Sequence, residues 1–85
     1  MSTERDVTET LDVTGQNCPI PVVKTKQAVD AIAAGETLEV LATDSGSMSD
    51  IEGWASTTDG VELLDQVEAE EGGETVYRHY VEKTE

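Results

Sequence analysis

Phenylalanine is absent from the 85 residues, and one tryptophan and two tyrosines are the only aromatics. Stacked bases would find no platform, which argues against single-strand nucleic-acid binding. Lysine and arginine together number five against nineteen acids, for a formal net charge of -14. Such a field repels phosphate backbones and anionic membranes. A single cysteine rules out an internal disulfide, and with one histidine it cannot complete a structural zinc site. No apolar run approaches the roughly 18 residues of a membrane span. The start, Met1-Ser2-Thr3-Glu4-Arg5-Asp6, lacks the basic-then-apolar order of a signal peptide. These absences lead us to expect a cytoplasmic chain that acts without metal, cofactor, nucleic acid or membrane.

The length fits one domain over residues 1–85, frayed before about Asp6, with a core that buries roughly 60% of the unfolded surface. A hydrophobic content of 36% at this charge borders on the composition of disordered chains. Patterning decides for a fold, because short apolar segments alternate with Gly-rich punctuation. The acids are spread along the chain, as suits a halophile's cytoplasm in which molar salt screens repulsion within about 3 Å. An acidic mesophilic domain is the plainer reading.

Val7 to Val13 alternates, with Val7, Leu11 and Val13 on one face and Thr8, Thr10 and Asp12 on the other, and so predicts a strand. A loop follows, Gly15-Gln16-Asn17-Cys18-Pro19-Ile20-Pro21, whose two prolines cannot pair in a sheet. From Val22 to about Ala34 the apolar residues Val22, Ala28, Val29 and Ile32 make one helical stripe, with Gly35 just past the end. Thr37 to Thr43 predicts a central strand, and about Met48 to Thr57 a second helix with Ser47 as N-cap and Asp50 three residues on. Val61–Ala69 and Thr75–Lys83 predict a hairpin around Glu71-Gly72-Gly73-Glu74. The fold class expected is an α/β (α+β) two-layer sandwich of order β-α-β-α-β-β, with two helices on one face of a four-stranded mixed sheet.

Cys18 carries the chemistry. A thiol between a strand and a helix N-terminus faces unpaired backbone N–H groups and the positive end of the macrodipole, which favour thiolate. The prolines fix the chain direction there, and Lys24 and Lys26 on the following helix bring local positive charge. No Cys-x-x-Cys is present, which excludes a self-resolving dithiol cycle. The competing reading makes Cys18 a small buried hydrophobe and the lysines plain surface charges. His79 reads as an ordinary strand residue and Trp54 as core.

Leu11-Asp12-Val13-Thr14-Gly15-Gln16-Asn17-Cys18-Pro19-Ile20-Pro21 resembles the L-D-x-x-G-x-x-C-P-x-P signature of the TusA/SirA-like sulfur carriers. The resemblance continues through Gly35-Glu36-Thr37-Leu38, Asp50-Ile51-x-x-Trp54 and Tyr77-Arg78. It implies that Cys18 carries sulfane sulfur as a persulfide and hands it to a partner, with Asp12, Gly15, Pro19 and Pro21 supporting the motif. Lys24 and Lys26, by their charge, are the candidate partner contacts. It also implies a sulfur donor such as a cysteine desulfurase or rhodanese, and a sulfur-accepting protein downstream. A monomer is expected. The destinations it suggests are tRNA thiolation and molybdenum-cofactor maturation. This chain departs from common members at Ser45, Ala55 and Gly60-Val61. A thiol redox sensor and a non-catalytic interaction module are the alternatives from other classes.

Overall fold

The computed structural model describes residues 7–16 and 20–85, and at Pro21 the backbone. The elements run β1 (Glu9–Asp12), α1 (Ile20–Ala31), β2 (Thr37–Ala42), α2 (Ser47–Ser56), β3 (Val61–Glu71) and β4 (Glu74–Lys83). They form one sheet of order β1-β2-β4-β3, parallel between β1 and β2 and antiparallel elsewhere. The expected β-α-β-α-β-β order and mixed sheet are what the molecule has.

Strand alternation sets the two faces of this sheet. Leu38, Val40 and Ala42 of β2 and Val81 of β4 pack with Val29 and Ile32 from the α1 side and Ile51 from α2. Val13, just past β1, completes this core, and Leu11, Trp54 and Leu63 pack half-buried against it. Each fully buried aliphatic side chain contributes about 2 kcal/mol, so this cluster dominates the favourable side of folding. Among the described residues, no helix covers the opposite face of the sheet. A polar ladder crosses it, because Glu39 accepts hydrogen bonds from Thr10 Oγ1 (3.1 Å), Arg78 Nη1 (3.2 Å) and Tyr80 Oη (2.9 Å). Arg78 also pairs with Glu71.

Boundaries differ from expectation where tertiary partners override local rules. Helix α1 runs over Ile20–Ala31 and not Val22–Ala34. Its end is held from outside, since Lys83 Nζ donates to the carbonyls of Ile32 (2.8 Å) and Asp30 (3.5 Å). Gly35 therefore lies in the turn to β2 and does not cap the helix, and its N–H donates to Lys83 O (2.6 Å). Ser47 is the first residue of α2 and does not cap it. Gly46 holds the cap position without a side-chain bond. The hairpin turn is Gly72-Gly73, with φ of 62° and 82°. Positive φ at both central residues matches the right-handed twist of the flanking strands and admits glycine at little cost. No helix among the described residues is long and apolar enough to cross a membrane.

Candidate functional site

Because β1 and β2 are parallel, their C-terminal ends lie side by side, with Asp12 opposite Leu41. The chain leading to Cys18 and the 43–46 loop leading to α2 therefore leave the same end of the sheet. Asn17, Cys18 and Pro19 lie outside the described residues, and Pro21 falls in the first turn of α1. The site is built from what flanks them.

On the strand side, Asp12 Oδ1 accepts from the Thr14 hydroxyl (2.7 Å) and from the Thr14 N–H (2.9 Å). These bonds hold the Asp12 carboxyl below its ordinary range, the hydroxyl bond being the larger cause. The turn they close delivers the chain to Gly15, whose φ of 81° is in the left-handed region. Gly15 N–H donates to Thr43 Oγ1 (2.8 Å), which ties the two loops together. Gln16 N–H donates to Val13 O (3.2 Å), and the buried Gln16 Oε1 has no hydrogen-bond partner among the described residues.

On the helix side, α1 has no acid in its first turn, so no carboxylate of that turn opposes its N-terminal field. Ile20 and Val23 are 46% and 49% exposed. Lys24 is exposed on the same stripe, four residues after Ile20. Lys26 is turned away from that stripe. It lines a cleft of about 190 Å³ with Val29, Trp54, Val61 and Lys83. The structure therefore separates the two lysines instead of pooling them into one patch. No three His, Cys, Asp or Glu side chains among the described residues converge to hold a metal ion.

Residues 9–83 match the family model described as sulfurtransferase TusA. The chain belongs to that family. Its similarity to a candidate sulfur carrier protein of Halobacterium salinarum is 68% identity over 84 residues, covering 99% of both chains. The sulfur carrier protein TusA of Allochromatium vinosum is 41% identical over 68 residues, which are 80% of this chain and 86% of that one. Among solved structures, the SirA-like protein from Desulfitobacterium hafniense superposes with a TM-score of 0.65 at 27% identity, covering 86% of this chain and 95% of the other. As in the TusA family generally, the chain is a sulfur carrier with the mixed-sheet sandwich described above.

One group of residues at the centre of the sheet escaped the sequence reading. His79 and Ser47 are fully buried, and their side chains bond at 3.1 Å between Nε2 and Oγ. Gln66 Nε2 lies 3.0 Å from His79 Nδ1. His79 is therefore no ordinary strand residue. The available signal was parity, since His79 sits two residues before Val81 and so shares its inward face.

Proposed function

We propose that Cys18 accepts sulfane sulfur as a persulfide and hands it to a partner thiol. The Cys18 thiolate attacks the terminal sulfur of a donor persulfide. The donor S–S bond breaks, its inner sulfur leaves as thiolate, and a new S–S bond forms on Cys18. An acceptor thiolate then attacks the terminal sulfur on Cys18, and Cys18 leaves as thiolate. No net oxidation occurs, so neither metal nor organic cofactor is required. A site that favours thiolate helps both acceptance and departure.

The observation that carries this reading is the placement of Cys18 directly ahead of α1, whose first turn holds no acid. In a chain of net charge -14, an N-terminal turn free of carboxylates is a local exception that favours an anionic sulfur. Asp12 and Gly15 support the motif through the turn and the cross-loop bond that aim the chain at Cys18. The exposed pair Ile20 and Val23 offers donors and acceptors an apolar contact on the opening turns of α1, with Lys24 at its margin. Lys26 serves a partner only through the cleft it lines. Donors of the cysteine desulfurase or rhodanese type fit this chemistry, and tRNA thiolation and molybdenum-cofactor maturation are fitting destinations.

Intact-mass measurement after incubation with a cysteine desulfurase and cysteine tests the proposal. One added sulfur is expected on the wild type and none on Cys18→Ser. Sulfur loading that survives Cys18→Ser, or a wild type that never loads, would overturn it.

A further inference from the structure

The proton on the His79 ring can be placed from its neighbours. Gln66 Nε2 lies 2.8 Å from Met48 O and 3.0 Å from His79 Nδ1. A carbonyl oxygen only accepts, so the Gln66 NH2 group faces Met48, and its second hydrogen goes to Nδ1. Nδ1 accepts, the ring is neutral, and Nε2–H donates to Ser47 Oγ. A second ring proton would set a donor against the Gln66 donor. Burial acts in the same direction and pushes the His79 ring down to about 4.

These bonds fall on the two opening residues of α2. Ser47 hangs from β4 through His79, and Met48 hangs from β3 through Gln66, which pairs with His79 across the strands. The helix has no side-chain cap of its own. Ser47 N–H donates to Asp44 O (2.9 Å), and Asp44 Oδ1 accepts from Gly46 N–H (2.8 Å), so the 43–46 loop moves with that turn. Thr43 in turn accepts the Gly15 N–H, three residues before Cys18. An apolar contact at the position of His79 would permit α2 to slide, whereas directed bonds to a buried side chain fix it.

We propose that His79 is a positioning residue of the Cys18 site, holding the first turn of α2, and through it the loop that anchors Gly15, by the Nε2–H bond to Ser47. This rests on the reading of Cys18 as the sulfur carrier. The consequence is that Cys18 reactivity depends on a side chain at the sheet centre that does no chemistry itself.

Side-chain geometry supplies the test. In His79→Gln the amide nitrogen occupies the place of Nε2 and keeps the donor to Ser47, whereas in His79→Asn the amide stops at the place of Nδ1 and loses it. The rate of Cys18 alkylation by iodoacetamide is measured on the full chain in molar potassium chloride, with circular dichroism confirming that each variant is folded. His79→Gln should react like wild type, while His79→Asn and Ser47→Ala should react about 2- to 30-fold more slowly. Nitrogen-15 NMR of the wild-type ring should show the Nε2–H neutral tautomer. Folded His79→Asn and Ser47→Ala that keep the wild-type rate, or a ring protonated on Nδ1, would overturn the proposal. Should His79→Asn unfold, Ser47→Ala, which only deletes the acceptor, decides. Sulfur loading is followed in parallel. A wild type that fails to load while the alkylation order holds counts against the carrier reading and for the positioning role.

Discussion

At the scale of single residues, His79 links stability to acid. Its ring is pushed down to about 4 in the fold by burial and has an ordinary value near 6.5 when unfolded. Between those values the unfolded chain binds a proton that the folded chain refuses, so the neutral ring's contribution is complete above about 6.5 and lost as pH falls through about 4. A depression of that size corresponds to about 3 kcal/mol. Melting of wild type and His79→Gln, compared at pH steps across this window in molar salt, isolates the effect from the surface acids. We expect the gap between the two proteins to shift in favour of His79→Gln as the pH drops. A gap independent of pH would mean the ring does not titrate between those limits.

At the scale of elements, the glycines separate backbone strain from packing. Gly53 lies within α2 and Gly72 in the β3–β4 turn at φ 62°, and a Cβ on either would meet nothing within 4 Å. Space is equal, so conformation decides. Gly53→Ala should stabilise by about 0.5–1 kcal/mol through helix propensity, and Gly72→Ala should destabilise by roughly 1 kcal/mol. Opposite shifts of several degrees in melting temperature are expected for a domain of this size. The hairpin and its turn were legible in advance because Gly-Gly between alternating segments has few other uses. The boundaries of α1 and the capping of α2 were not. Lys83 reaches the end of α1 from 51 positions away, and Ser47 turns inward to His79, so in both places a distant partner replaces the local rule. The cysteine motif was plain in sequence. The roles of Thr43, Gln66 and His79 were not, because they exist only once β1, β2, β3 and β4 are side by side.

For the whole molecule, charge and core size are opposed. A net charge of -14 is spread over a body with a Cα radius of gyration of 12.0 Å, and its self-repulsion opposes compaction. Raising salt from about 0.1 M to 1 M shortens the screening length from about 10 Å to about 3 Å. The melting temperature should therefore climb steadily from dilute buffer to molar potassium chloride, followed by far-UV circular dichroism. Indifference to salt would show that the acids are well enough dispersed to cost the fold nothing.

The position of β3 at the border of the sheet carries a further cost. Among the described residues no strand lies beside its outer backbone groups, and what deters a second molecule is the row Glu62, Asp65, Glu68, Glu70 and Glu71 together with the bulge between Leu63 and Asp65. Like charges on two copies of this strand keep them apart. Replacing the row with the matching amides therefore removes the safeguard along the whole strand, leaving an eleven-residue template free to recruit its own kind. The assemblies that form should be joined by β3 paired against β3.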